Sequence, residues 1–137
     1  MKPMNWDFLT KEIHSLAQKI EKEYLPDVIV GIVRGGIIPA QLLSTELGEN
    51  QVHCISVTKD GKRRRVVTKI LEELVNKNVL LVEDALESGR SLIEAKRYLE
   101  STGANVKTAC LYYTSASDIV PDFYLRKVAR IPKFPWE

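Results

Sequence analysis

The feature that most constrains the fold of this chain is a predicted buried strand that ends in two carboxylates. A small turn follows it and leads into a helix. Residues 79–82 are apolar without interruption, which predicts a strand buried on both faces of a parallel sheet. Glu83 and Asp84 follow it directly, and the turn Ser-Gly-Arg-Ser at 88–91 precedes a helical pattern. Backbone N–H groups and a helix dipole can hold phosphate there, and carboxylates can hold a metal ion or sugar hydroxyls. The segment therefore predicts a site for a phosphorylated ligand.

The rest of the chain alternates between helical and strand-like patterns. Helices are predicted at residues 6–24, 37–47, 70–75 and 91–101, and strands at 28–33, 52–57, 79–82 and 106–113. Residues 58–65 form a hairpin-like loop around Asp60-Gly61, and the tail from Asp122 predicts short strands and loop. This alternation predicts an α/β fold with a mainly parallel sheet, and 137 residues fit a single domain over 1–137.

Composition narrows the function classes. A net charge of +2 is too small to indicate a nucleic-acid partner. No apolar run approaches the roughly 20 residues of a membrane span, and the N-terminus lacks a signal peptide's apolar segment, so a cytoplasmic location with no membrane partner is expected. Cys54 and Cys110 lie in apolar runs and are expected to be reduced core residues.

Three segments, in order, resemble the type I phosphoribosyltransferases. Residues 82–91, Val-Glu-Asp-Ala-Leu-Glu-Ser-Gly-Arg-Ser, resemble that family's motif for phosphoribosyl pyrophosphate (PRPP): an apolar strand, two acidic residues, two apolar or small residues, then Asp-Thr-Gly-x-Thr. Residues 26–40, around Arg34-Gly35-Gly36, resemble the pyrophosphate loop, which alone would also suit a plain strand-to-helix turn. Residues 120–124 and 134–137 are similar to the purine (xanthine/guanine/hypoxanthine) branch, especially its short archaeal-type members.

The resemblance implies a fold and a reaction. The fold would be a central, mainly parallel sheet flanked by helices, with a small C-terminal hood. The reaction would transfer ribose 5-phosphate from PRPP to a purine base with the help of Mg²⁺, giving a nucleoside monophosphate and pyrophosphate in purine salvage. The family also implies a homo-oligomer, a dimer or a tetramer.

The resemblance also implies residue roles. Glu83 and Asp84 would bind the ribose hydroxyls, directly or through Mg²⁺. The loop at Arg34, Gly35 and Gly36 would hold the pyrophosphate, with a cis Val33–Arg34 peptide. Glu87 would exchange a proton with the base, as an acid–base residue. The 5′-phosphate would be wrapped by the residues that follow the acidic pair, Ala85, Leu86, Glu87, Ser88, Gly89, Arg90 and Ser91.

The sequence departs from the family pattern mainly where the base would bind. Glu87 is one methylene longer than the usual Asp, and Ser88 and Ser91 replace Thr while keeping the hydroxyls. The lysine that reads the purine 6-oxo group is matched by Thr114, and no lysine occurs from Thr108 to Arg126. The aromatic residue that stacks on the purine is matched by Ile131.

These departures predict weaker binding of the base and weaker discrimination between bases. Recognition of the base would depend on Thr114 and on backbone groups near Ile131 and Pro132. Phe134 and Trp136 are expected to pack in the hood rather than contact the base. The loop at 58–68 also looks shorter than the family's flexible loop.

Two functional classes stay open, with a weaker third. The first is a purine-type phosphoribosyltransferase with altered base choice, which Glu87 favours. The second is a PRPP- or nucleotide-binding regulator without base transfer, which Thr114 favours. The third is an RNA-binding derivative that uses the Lys-Arg-Arg-Arg run at 62–65. That run is explained equally well as a solvated hairpin tip or as part of a loop that closes over the ligand site.

Overall fold

The computed structural model describes residues 3–48 and 51–137, and its elements alternate as the sequence predicts. In these residues the helices are α1 (Trp6–Glu21), α2 (Ile37–Leu47) and α3 (Arg90–Ser101). The strands are β1 (Val28–Val33), β2 (Val52–Asp60), β3 (Arg63–Val66), β4 (Asn78–Val82), β5 (Ala85–Leu86), β6 (Asn105–Ala109), β7 (Tyr112–Tyr113) and β8 (Arg126–Lys127).

The central sheet has the strand order β3-β2-β1-β4-β6. All neighbours in it are parallel except β2 and β3, which form an antiparallel hairpin. Gly31 of β1 pairs with Val82 of β4, so these two neighbouring strands end side by side. The predicted α/β fold with a mainly parallel sheet is confirmed, and the loops after β1 and β4 meet at one edge of the sheet.

Two hydrophobic clusters cover the two faces of this sheet. Alternate residues of β1 point to opposite faces, so Ile29 packs with α1 and α2 while Val30 packs with α3. The α3 side buries Leu92, Ala95 and Leu99 completely. The helices thus pack on both faces and fix the ends of β1 and β4 in place.

Helix ends follow local chemistry. The Asn5 side chain accepts a hydrogen bond of 2.8 Å from the Phe8 N–H and caps α1. α1 ends at Glu21 rather than at Tyr24. The Tyr24 hydroxyl lies 3.0 Å from the carbonyl oxygens of both Val79 and Asn105 and ties this end of the helix to the sheet. No helix among the described residues has both the length and the apolar character needed to cross a bilayer.

A second, smaller sheet of the order β5-β7-β8 forms the hood. The strand predicted over residues 106–113 is split in two. Its first half pairs with β4, and its second half pairs with β5. Cys110 lies at the split, and both Cys54 and Cys110 are free thiols in the structure. The tail consists of β8 and irregular segments, in line with the prediction.

The helix predicted at residues 70–75 is wrong, because this segment is irregular and tertiary contacts hold it in place. The Ile70 N–H donates to the Tyr98 hydroxyl at 3.1 Å, and Glu72 binds the His53 ring at 2.8 Å. Leu74 is fully buried while Leu71 is fully exposed. The predicted loop at 58–65 is also largely strand, since β2 reaches Asp60 and β3 begins at Arg63.

Candidate active site

A cleft of about 820 Å³ lies where β1 and β4 end, and we call it the carboxylate cleft. Its lining brings together most of the predicted phosphate-binding residues: Arg34, Gly35, Glu83, Asp84, Ala85, Leu86, Glu87, Ser88, Gly89, Arg90 and Ser91. Val33, Leu92, Trp136 and Glu137 complete the lining. Three segments that are far apart in sequence therefore converge at one edge of the sheet.

The loop after β1 lies tightly against β4. The Val33–Arg34 peptide is cis, as predicted. Gly36 is buried beneath the loop, and a Cβ there would lie 2.4 Å from the Val82 carbonyl oxygen. A Cβ on Gly35 would lie 2.4 Å from the Asp84 Oδ2. A Cβ at Gly36 would meet backbone atoms, and a Cβ at Gly35 would displace the Asp84 side chain, so the backbone at 34–36 lies directly against the acidic pair.

Glu83 and Asp84 are partly buried at the end of β4. The Ala85 N–H donates to Asp84 Oδ1 at 2.6 Å, and the Asp84 N–H donates to Glu83 Oε1 at 3.3 Å. Burial raises the pKa of Glu83 well above its ordinary value, and the neighbouring Asp84 charge raises that pKa further. Burial is also the main cause of the raised pKa of Asp84.

These carboxylates have no cationic side chain to offset their charge in the described part of the chain, where neither forms an ion pair with Lys, Arg or His. No cluster of three or more Asp, Glu, His or Cys side chains that could hold a metal occurs among the described residues. Mg²⁺ is often held by one or two carboxylates together with substrate phosphates. The uncompensated pair fits that donor set.

The turn from β5 into α3 presents a helix N-terminus to the cleft. Gly89 adopts a left-handed conformation (φ 74°) and provides no side-chain cap for α3, although the Arg90 N–H reaches the Ser88 Oγ at 3.4 Å. The Asp118 N–H donates to the Ser88 carbonyl at 2.8 Å and fixes the turn from behind. Uncapped N–H groups of a helix's first turn carry a partial positive charge and bind anions. The turn can therefore hold a phosphate group.

Glu87 lies on this turn with an exposed side chain. Its carboxylate makes no hydrogen bond or ion pair with another described residue, while its carbonyl accepts a hydrogen bond of 3.3 Å from the Thr114 hydroxyl. The Thr114 N–H donates to the Leu86 carbonyl at 3.0 Å. Thr114 therefore lies beside Glu87, although it does not itself line the carboxylate cleft.

Ile131 and Pro132 are not brought into the carboxylate cleft. Ile131 packs against the hydrophobic cluster on the α1 side of the sheet. Pro132 lines a separate cavity of about 380 Å³ together with Met4, Phe8 and Tyr112. Their predicted role in base binding is not supported by this arrangement, and it stays a prediction.

The C-terminal residues Trp136 and Glu137 line the cleft, and the sequence did not indicate this. Trp136 stacks on Phe134 with a centroid distance of 4.8 Å and an interplanar angle of 3°. Phe134 stacks in turn on Tyr112 at 6.2 Å, which agrees with the predicted packing in the hood. A hydrogen bond from Trp136 lowers the pKa of Asp84 against the larger effect of burial. The motif Phe-Pro-Trp at 134–136 was the one sequence feature that could have indicated this position. It does not show that the tail folds back to the end of β4, because that depends on tertiary contacts.

Comparison with known proteins identifies the family. Residues 5–137 match the family described as phosphoribosyl transferase domain. The crystal structure of purine phosphoribosyltransferase from Pyrococcus horikoshii Ot3 is 34% identical and superimposes with a TM-score of 0.90, covering 99% of this chain and 93% of that chain. The chain belongs to the phosphoribosyltransferase family.

Two curated relatives cover the chain to different extents. Xanthine-guanine phosphoribosyltransferase from Gluconobacter oxydans is 28% identical over 143 residues, which span 98% of this chain and 83% of the relative. Orotate phosphoribosyltransferase from Oceanobacillus iheyensis is 35% identical over 104 residues, or 75% of this chain. The chain spans about half the length of this second relative, 50%.

Proposed function

We propose that this chain transfers ribose 5-phosphate from PRPP to a purine base, giving a nucleoside monophosphate and pyrophosphate. The observation that carries the proposal is the convergence of an uncompensated carboxylate pair, a helix N-terminus whose N-cap residue is glycine, and a glycine loop in one cleft. The similar proteins from Pyrococcus horikoshii and Gluconobacter oxydans, named as purine and xanthine-guanine phosphoribosyltransferases, support the choice of a purine.

The two ends of PRPP would bind to two different segments. The 5′-phosphate would accept hydrogen bonds from N–H groups at the start of α3, next to Gly89. The pyrophosphate would lie against Arg34 and the Gly35 backbone, with Gly36 supporting the loop from below. The exposed Arg34 side chain can donate to phosphate oxygens in pairs.

Glu83 and Asp84 would bind the ribose hydroxyls between these ends, directly or through Mg²⁺. When bound, Mg²⁺ would offset the negative charge that develops on the leaving pyrophosphate. Carboxylates with a raised pKa gain most from a cation, because the cation restores the charged form that burial disfavours.

Glu87 would take a proton from the incoming base as the new bond to ribose forms. Its exposed carboxylate in the cleft can reach a ligand without first breaking an ion pair. Thr114 lies beside Glu87 and would meet the base at the 6-position, where its hydroxyl can donate or accept a hydrogen bond. Selectivity between oxo and amino purines would then be weak.

A second candidate is a PRPP- or nucleotide-binding regulator without transferase activity. The observation that favours it is the position of Ile131 and Pro132, which lie outside the cleft and leave the base with few side-chain partners. Under either function, the cytoplasmic location expected from the sequence and the dimeric or tetrameric assembly implied by the family resemblance remain predictions.

One experiment separates the two candidates. The chain is incubated with PRPP, Mg²⁺ and adenine, guanine, hypoxanthine or xanthine, and nucleoside monophosphate is measured by chromatography. Formation of one of these nucleotides, strongly reduced in Glu87→Gln and unchanged in the exposed control Glu100→Gln, is expected. PRPP binding without any product would support the regulator, and absence of both binding and product would refute both candidates.

A further inference from the structure

A second cleft, with a volume of about 650 Å³, lies between the β2–β3 hairpin and α3. We call it the basic cleft, because six cationic side chains line it: Lys62, Arg63, Arg64, Arg65, Arg90 and Arg97. Two carboxylates, Asp60 and Glu94, also line it, which leaves a surplus of four positive charges. That local surplus exceeds the net charge of +2 on the whole chain. The fold therefore concentrates positive charge at this place.

The charge comes from two regular elements. Arg90, Glu94 and Arg97 follow one another at helical spacing, so they share one face of α3. The hairpin opposite is held by the antiparallel pairs of β2 with β3, from Asp60–Arg63 to Val57–Val66. The cations thus project from a helix and a paired strand, which limits how far they can spread apart.

Part of this charge is already paired, and part is not. Arg97 forms an ion pair with Glu94, and Arg90 lies 3.7 Å from an Asp118 oxygen. Arg63 and Arg65 have exposed side chains and form no ion pair with a carboxylate among the described residues. Like charges packed this closely are unfavourable unless an anion lies between them.

We propose that the basic cleft binds a compact, multiply phosphorylated anion, either inorganic polyphosphate or the polyphosphate part of a nucleotide. Guanidinium groups donate to phosphate oxygens in pairs, and five of the six lining cations are arginines. A nucleic acid fits less well, because the lining contains no aromatic side chain on which a base could stack.

This site adjoins the carboxylate cleft but is not part of it. Arg90 lines both cavities, whereas Glu83, Asp84 and the loop at Arg34 line only the carboxylate cleft. The inference goes beyond the proposed transfer reaction, and it would hold even if the chain transferred no base.

The test is a calorimetric titration of the full chain with sodium tripolyphosphate, in a chelator so that no divalent cation bridges the ligand. Arg63→Gln/Arg65→Gln should weaken binding by about tenfold or more, since each arginine provides charge-assisted hydrogen bonds. Lys11→Gln/Lys107→Gln makes the same change of charge at exposed positions outside the cleft and should alter the affinity by less than about twofold, as expected for screened charges. Equal affinities for the hairpin variant and the wild type would overturn the proposal.

Two further arms keep the outcome clear. Arg97→Gln removes a cation that α3 contributes to the same cleft and should also weaken tripolyphosphate binding. It replaces the hairpin variant in the test if a circular dichroism melt shows that the hairpin variant does not fold. Arg34→Gln belongs to the carboxylate cleft and should retain tripolyphosphate binding at the basic cleft. If Arg34→Gln instead abolished all binding, the anion would bind in the carboxylate cleft, and the proposal would be wrong.

The source of the phosphates is separated by comparing ligands. Tighter binding of guanosine or adenosine triphosphate than of tripolyphosphate, still dependent on Arg63 and Arg65, would identify a nucleotide. Equal binding would identify a site for polyphosphate alone. A single-stranded RNA that bound through the same arginines more tightly than tripolyphosphate, and was not displaced by it, would overturn the assignment to a compact anion.

Discussion

Substitution of Gly35 by alanine should disturb the acidic pair Glu83 and Asp84, although neither of these two residues is itself replaced. The Cβ that alanine adds would lie 2.4 Å from Asp84 Oδ2, 2.6 Å from its Cγ and 2.7 Å from its Oδ1. Real Cβ atoms do not approach other atoms this closely, so the Asp84 side chain must move. The same carboxylate accepts the Ala85 N–H at 2.6 Å, and a shift would stretch or break that hydrogen bond.

Two effects on stability oppose each other in this variant. Overpacking costs about 1–3 kcal/mol. Replacing Gly by Ala where the backbone tolerates it stabilises by about 0.4–1 kcal/mol, through the lower entropy of the unfolded chain. The clash is the larger effect, so Gly35→Ala should lower the free energy of unfolding by roughly 1–2 kcal/mol. PRPP binding should weaken as well, because Asp84 no longer occupies its position at the end of β4.

Urea denaturation measures the stability, and calorimetry with PRPP and Mg²⁺ measures the binding. The double variant Gly35→Ala/Asp84→Ala removes the carboxylate that clashes, so the two substitutions should not be additive in stability. Gly48→Ala is the control: it places alanine at φ 71° with no atom within 4 Å of the new Cβ, so it should lose some stability and keep PRPP binding. If Gly35→Ala were as stable as the wild type and bound PRPP normally, the reasoning would be refuted.

Three further predictions concern the acidic pair and the base. Asp84→Asn should lose most PRPP binding while its circular dichroism spectrum stays native, and an unchanged affinity would defeat the site assignment. Wild-type turnover should show a high KM for every purine, and Thr114→Lys should raise kcat/KM with guanine or hypoxanthine; strongly 6-oxo-selective turnover by the wild type would mean that another residue reads this edge. Burial raises the pKa of Glu83 above its ordinary 4.5, so the folded state binds more protons than the unfolded state between these two pKa values. The free energy of unfolding should therefore fall as the pH rises from 4.5 through the raised pKa of the folded state. In a chelator, Glu83→Gln should reduce that fall, and equal pH dependence of both proteins would contradict it.

Much of the fold is visible in the sequence because it depends on local patterns. Unbroken apolar runs give β1 and β4 their burial on both faces. The Asn5 side chain caps the start of α1, and Gly48 ends α2 in a left-handed conformation. The segment at 70–75 shows the limit of such patterns. Its apolar spacing suits a helix, but the contacts of Ile70 and Glu72 with distant residues hold it in an irregular conformation. No pattern within the segment reveals those partners.

The split between β6 and β7 has a similar origin. The run from Thr108 to Tyr113 is almost wholly apolar, so it reads as one strand. In the structure the chain changes partners at Cys110, where the Glu83 N–H donates to the Ala109 carbonyl and the Leu111 N–H donates to the Asp84 carbonyl. The acidic pair itself therefore marks where the hood leaves the central sheet, and only the pairing of two distant segments makes this visible.

The candidate site divides in the same way into a phosphate end and a base end. The proposed phosphate end consists of continuous segments, the loop at Arg34 and the turn at 85–91, and local motifs were enough to predict that these segments line one cleft. The base end depends on how the tail returns across the hood. Phe134 is fixed between Tyr112 and Trp136, and this stack carries Trp136 to the cleft beside Asp84, whereas Ile131 stays in the hydrophobic cluster. A base in this cleft would therefore meet the tail near Trp136, whose stacking on Phe134 leaves at most one face of the indole for a ligand. The choice of base would then rest on the backbone and on Thr114 more than on an aromatic sandwich, which is why turnover with a panel of bases is the measurement that most directly tests the proposed function.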